Sequence, residues 1–158
     1  MTIRSIHLAR RFFGALNFLP LKKSQIEIVR PVLTESEFYL WSSMRIGDKR
    51  HSLEVLARFL ALLPEATVSE RRAALLHDVG KLQSDLGVVA RVLATIVGPR
   101  GARFSAYHDH ERLGAEMLRK IGSDEQTWRL VGGDVAGPTN PNSTQMKTMS
   151  ALRRADES

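Results

Sequence analysis

The chain has 158 residues, of which 43% are hydrophobic, and it contains no cysteine. This length suits one domain with a real core, and the lack of thiols excludes disulfides, zinc–thiolate centres and cysteine nucleophiles. Any bound metal must therefore be held by nitrogen and oxygen atoms.

The formal net charge of +6 is concentrated at the start of the chain. Residues 1–33 hold six of the 23 basic residues and one of the 17 acidic residues, so they carry +5. Because "IHLARRFFGALNFLPL" mixes arginine with phenylalanine and leucine, we predict a basic amphipathic N-terminal arm. It suits docking onto the protein's own body, a homodimer contact, an anionic membrane surface or nucleic acid, and these alternatives stay open.

The arm lacks the continuous apolar core of a secretory signal. Nothing in the sequence approaches the roughly 20 apolar residues that a membrane span needs. We therefore expect a soluble, cytoplasmic protein.

Helix-start patterns recur after the arm, whereas strand patterns are scarce. Capping-box patterns at 34–37 and 123–126 each predict a helix. Asp48 is predicted to cap a helix that ends at Pro64, and Ser69 a helix that ends at Gly80. Further helices are predicted at about 83–97, 110–121 and 143–156, with loops at 98–107 and 132–142. The expected fold is all-α, with one helical body at residues 34–158.

Four ionisable side chains are predicted to point inward, because each falls on the apolar stripe of its own helix: His51, His77, His110 and Asp156. Burying such groups without partners is costly. A divalent cation would satisfy them, since imidazoles and carboxylates are its ligands in a cysteine-free chain. With Asp78 added, His51, His77 and Asp156 offer two nitrogens and at least two oxygens, which leaves positions for water and substrate.

Each of these residues also has an ordinary structural explanation when it is taken alone. A histidine near a helix start, such as His51 or His110, commonly packs or caps. His77 would complement the negative end of its helix, and Asp156 would be a surface acid near a helix end. The convergence of all four is what favours a metal site.

The order His51, then His77-Asp78, then Asp156 resembles the H…HD…D signature of the HD-domain superfamily of metal-dependent phosphohydrolases. "LLHDVGK" is similar to the family's most recognisable phrase and "LRRAD" to the segment with its last aspartate. "YHDHERLGAEML" is similar to a stretch where many members place another histidine, here His110. The resemblance covers about residues 45–158.

The resemblance implies an HD-domain helical bundle in which His51, His77, Asp78 and Asp156 hold a divalent metal ion (Mn, Fe, Mg, Co, Ni or Zn). It implies hydrolysis of a phosphate ester, with a nucleotide or other small phosphorylated molecule as the expected substrate. Asp78 is expected also to orient the attacking water or to accept its proton.

Other site residues are expected to contact substrate or a second ion. Lys81 would meet a substrate phosphate, and Arg100 and Arg103 in the 98–107 loop would do so more weakly. Many relatives have a histidine where this chain has Asp134, so we expect one tight metal and at most a weak second ion near His110 and Asp134.

Two substrate classes are disfavoured by missing elements. The acidic pair of stringent-nucleotide hydrolases is absent after the HD dipeptide, and so is the Gly-Tyr-Pro element of the cyclic-dinucleotide branch. The alternative function is a catalytically silent HD-fold module that binds a metal or ligand and acts through a partner or nucleic acid.

Overall fold

The computed structural model describes residues 20–83, 110–133 and 143–157. Within these ranges the chain forms helices and no strand, which confirms the all-α fold. In chain order the helices are α1 (Lys23–Val29), α2 (Glu35–Ser43), α3 (Ile46–Leu62), α4 (Val68–Leu76), a 3-10 helix (Val79–Gln83), α5 (His110–Lys120), α6 (Glu125–Val131) and α7 (Ser143–Glu157). No helix in the described part is long and apolar enough to cross a bilayer.

Helix α2 begins with the predicted capping box. The Thr34 hydroxyl accepts a hydrogen bond from the Glu37 amide, and the Glu37 carboxylate accepts one from the Thr34 amide. Helix α4 uses the same motif two residues before the predicted cap, because Thr67 and Glu70 make the reciprocal pair. Ser69 is therefore not the cap, and the prediction was wrong at that residue.

Three other predicted helix ends shift for local reasons. Helix α3 starts at Ile46 after Arg45, so Asp48 lies in the first turn, where its charge favours the positive helix end, and does not cap it. The cap of α6 is Asp124, whose carboxylate accepts from the Thr127 amide, and not Ser123. Helix α4 ends at Leu76, before Gly80, because the chain continues as the 3-10 helix.

The core extends into the segment that its charge assigned to the arm. Val29 is fully buried and Leu33 is 7% exposed, and both belong to the main apolar cluster. The Arg72 side chain also donates to the Val32 carbonyl oxygen at 2.8 Å. The last residues of the 1–33 segment thus pack against α4, while residues 1–19 lie outside the described ranges.

Two buried cap carboxylates also join distant helices. Glu37 is fully buried, lies 3.4 Å from Arg72 Nε and accepts a hydrogen bond from the Ser123 hydroxyl, so it ties α2 to α4 and to the start of α6. Glu70 accepts from the Thr148 hydroxyl at 2.7 Å and ties α4 to α7. Each carboxylate therefore supports both a local helix start and a tertiary contact.

Candidate metal centre

Three side chains from three helices converge in the structure. His51 lies in the first half of α3, His77 at the end of α4 and Asp156 in the last turn of α7. Their nearest ligand atoms all lie within 4.8 Å of one another. Asp156 Oδ1 is 2.7 Å from His51 Nε2 and 3.4 Å from His77 Nε2. One carboxylate oxygen thus faces two imidazole nitrogens.

The orientation of His77 is set by its own helix. Its Nδ1–H donates to the Ala74 carbonyl oxygen at 2.9 Å, so the ring presents Nε2 to the cluster. Nε2 is buried and has no hydrogen-bond partner among the described residues, although carboxylate oxygens of Asp78 and Asp156 each lie 3.4 Å away. A buried polar atom without a hydrogen bond is costly.

Asp78 lies beside this three-residue group, and its carboxylate is 3% exposed. Its Oδ2 is 3.4 Å from His77 Nε2 and accepts a hydrogen bond from Lys81 Nζ at 2.5 Å. Its Oδ1 lies 3.6 Å from His110 Nε2. Asp78 therefore stands between the imidazoles and a buried ammonium group.

A positive charge between the Asp78 and Asp156 carboxylates is electrostatically favoured. Burial alone would lower the pKa of His77, but the Asp78 and Asp156 carboxylates outweigh it and raise that pKa to about 10. Burial would raise the pKa of Asp78, yet the charges of Lys81 and His77 hold it well below its usual range. Against the same burial effect, the hydrogen bond from His51 and the nearby charge of His77 lower the pKa of Asp156. Either a proton on His77 or a bound cation would supply this positive charge.

The residues fit a divalent metal ion. Two imidazole nitrogens and a carboxylate oxygen are ligands that suit Mn, Fe, Co, Ni and Zn, and an adjacent carboxylate adds a harder donor. The buried Nε2 of His77 faces Asp156 and has no hydrogen-bond partner in the described ranges. His51, His77 and Asp156, with Asp78 beside them, would hold the ion.

His110 reaches the site through a close contact between backbones. It is the first residue of α5, and a Cβ placed on Gly80 would lie 1.9 Å from the His110 carbonyl oxygen and 2.6 Å from the Gly114 amide nitrogen. Only glycine allows the 3-10 helix to approach α5 this closely. The approach brings His110 next to Asp78.

Other predicted site residues fall elsewhere. Asp134, Arg100 and Arg103 lie outside the described residues, so a second ion near His110 and Asp134 stays a prediction, as do the two arginine contacts. The sequence interpretation missed Glu111, which lines a small cavity of about 50 Å³ together with His77, His110 and Asp156. Its position directly after His110 was the available signal.

A family model for the HD domain matches residues 49–140, which is more than half of the chain. The chain therefore belongs to the HD-domain family, whose members generally are hydrolases and bind divalent metals. The match includes His51, His77 and Asp78 but ends before Asp156. In the structure, helix α7 brings Asp156 next to His51 and His77. No curated protein and no solved structure is significantly similar to the chain.

Proposed function

We propose that this protein is a metal-dependent phosphohydrolase that acts on a small phosphate ester, such as a nucleotide. The observation that supports it best is the buried His77 Nε2, which has no hydrogen-bond partner among the described residues and faces Asp156, with His51 also in ligand range. A divalent metal held there would supply a Lewis acid for a phosphoryl oxygen and would lower the pKa of a bound water.

Asp78 is proposed to orient the attacking water. Its carboxylate is buried, and its pKa is held well below the usual range, so it stays deprotonated and accepts hydrogen bonds at neutral pH. A carboxylate with so low a pKa is a weak base while Lys81 stays paired with it. Its first role is therefore orientation of the water at Oδ1 or Oδ2.

Lys81 is proposed to move its charge from Asp78 to the substrate. An ammonium group on a flexible side chain is a mobile point charge that suits a phosphoryl oxygen. When Lys81 turns toward the phosphate, the pKa of Asp78 rises, because the largest charge that lowers it has left. Asp78 then becomes a better acceptor for the water proton, and substrate binding itself prepares the base.

Phosphate release from a panel of nucleotides and sugar phosphates tests this function. The protein is stripped with a chelator and then supplied separately with Mn, Fe, Mg, Co, Ni or Zn. We expect release that depends on the added metal and is lost in Asp78→Asn. Glu35→Gln serves as the carboxylate control, because Glu35 lies on exposed surface and pairs with Arg30.

Two outcomes would contradict the proposal. Turnover that survives complete metal removal would show that the cluster is not the reaction centre. A metal-loaded protein that releases phosphate from no ester would instead support the silent binding module, in which the Lys81–Asp78 pair is only structural.

A further inference from the structure

A cavity of about 190 Å³ opens on the Lys81 side of Asp78, between the α2–α3 junction and the turn that carries the HD dipeptide. We call it the junction cavity. At its inner end it shares Asp78 and Lys81 with the proposed reaction centre. At its outer end it is lined by Ser43, Arg45 and Asp48. A ligand that fills it would therefore contact the same Asp78 and Lys81 that are proposed to act on the phosphoryl group.

The outer end carries both hydrogen-bond donors and an acceptor. Arg45 donates, whereas the Asp48 carboxylate accepts. The Ser43 hydroxyl donates its proton to the Tyr39 carbonyl oxygen, so its oxygen is left to accept. Among the seven described lining side chains only two are apolar. The two cations of the described lining are balanced by the two carboxylates, so the cavity offers no net positive charge for a polyphosphate tail. Hydroxyl groups match the lining, because each hydroxyl both donates and accepts.

The volume limits what the junction cavity can hold. At about 190 Å³ it is smaller than the ~300–1,000 Å³ of pockets that enclose whole drug-sized ligands. A space of this size suits a small polyol with its ester oxygen better than a complete nucleotide. Within the described lining no aromatic side chain offers a surface on which a base could stack.

We propose that the junction cavity binds the hydroxylated carrier of the phosphate ester, so that the substrate is a sugar phosphate or a nucleotide recognised through its sugar. Asp48 accepts hydrogen bonds from the carrier hydroxyls and is a specificity-determining residue. This inference rests on the proposed phosphohydrolase function. The carrier is then the part of the substrate that determines specificity.

The test compares two esters on the metal-loaded protein. Ribose 5-phosphate has a hydroxylated carrier, whereas p-nitrophenyl phosphate has none, and kcat/KM is measured for both. In Asp48→Asn the ratio of kcat/KM for ribose 5-phosphate to that for p-nitrophenyl phosphate should fall about tenfold or more, because hydrogen bonds to a charged acceptor are lost. Glu35→Gln, another carboxylate in the first turn of a helix, should keep the wild-type ratio.

A loss that affects both esters equally in Asp48→Asn would overturn the inference, since it would show that Asp48 only supports the start of α3. Arg45→Gln gives a second reading if Asp48→Asn does not fold, because Arg45 is exposed and lines the same outer end. Its ratio should fall as well, and an unchanged ratio would count against the inference.

The failure of the proposed function is distinguishable from the failure of this inference. If the wild-type protein hydrolyses neither ester, the phosphohydrolase proposal fails, and calorimetric titration with ribose 5-phosphate still decides the second question. Weaker binding to Asp48→Asn than to Glu35→Gln would support the junction cavity as the carrier site. Equal binding to both variants would overturn it.

Discussion

The His77 side chain shows how a single backbone hydrogen bond orients an imidazole ring. Its Nδ1–H is committed to the Ala74 carbonyl oxygen within the same helix, so Nε2 is the nitrogen that faces Asp156. This hydrogen bond sets the ring orientation before a metal binds, and a bound ion would take the place of the proton that the neighbouring carboxylates favour on His77. The histidine is therefore pre-organised for binding.

Replacement of His77 with alanine should abolish tight metal binding. Loss of an outer-shell partner typically costs 10- to 100-fold in metal affinity, and we expect the loss of a ligand to exceed about 100-fold. Competition with a chromophoric chelator measures the affinity. His110→Ala is the matched control, because His110 contacts Asp78 but lies outside the three-residue group.

Elemental analysis provides the decisive comparison for these variants. A full complement of metal in His77→Ala would contradict the assignment of the ligands. Loss of the tight ion in His110→Ala would show instead that the metal lies between Asp78 and His110, on the other side of the carboxylate.

The sequence predicted that His51, His77 and Asp156 converge, but it did not predict the contacts around them. Helical spacing placed His51 and Asp156 on inward stripes, and the fold brings their side chains into contact. The Lys81–Asp78 pair was not predicted, because it depends on the 3-10 turn that follows α4. The junction cavity was also missed, since it forms between two segments at least 30 positions apart in sequence.

At the scale of the helices, the spacing of the polar residues decides which of them caps the helix N-terminus. Several residues that can cap a helix compete within a few positions, and the structure selects the one that completes two hydrogen bonds. Thr67 wins over Ser69 because only Thr67 has a glutamate three residues later. The locations of α4 and α6 were thus predictable, whereas their first residues required this comparison.

Gly80 was predicted to end a helix, but in the structure it lies where two backbones are too close for a side chain. Its missing side chain lets the 3-10 helix contact the backbone of α5. We expect Gly80→Ala to lower the free energy of unfolding by about 1–3 kcal/mol or more, because the clash is with backbone atoms that cannot rotate away. Urea denaturation measures the change.

Gly114→Ala is the graded comparison for that experiment. The nearest atom to its added Cβ would be a Val131 methyl group at 3.0 Å, which can shift more easily than backbone. Gly114→Ala should therefore be less destabilising than Gly80→Ala. The opposite order would mean that the two helices adjust as rigid bodies and that the contact at Gly80 is not the tight point.

At the scale of the whole molecule, the charge pattern and the packing divide the start of the chain at different places. Charge assigned residues 1–33 to an arm, yet Val29 and Leu33 are part of the core. Net charge reports on partners and solubility, while burial depends on the apolar residues that lie between the charges. The partner of the arm stays a prediction, with self-association, an anionic membrane or nucleic acid as its candidates.

Two truncations should separate the packed part of the arm from the rest. Removal of residues 1–33 should destabilise the protein, because burial of each large apolar side chain such as Val29 or Leu33 contributes roughly 1.5–3 kcal/mol. Removal of residues 1–19 should preserve metal content and change solubility, self-association or partner binding. Thermal unfolding, elemental analysis and sedimentation measure these properties.

Loss of metal from the shorter truncation would contradict this division and would place residues 1–19 in the support of the cluster. Wild-type stability of the longer truncation would show that Val29 and Leu33 can be replaced by solvent at little cost.

The contact between His51 and Asp156 joins positions 105 residues apart in the chain. A cation shared by these two side chains closes a loop that contains most of the protein, and closure of a long loop costs only slightly more entropy than closure of a short one. The ion would then act as a cross-link between the third and the last helix. Release of the ion should be coupled to separation of those helices. A chelator should therefore accelerate unfolding of the helical domain as well as abolish activity.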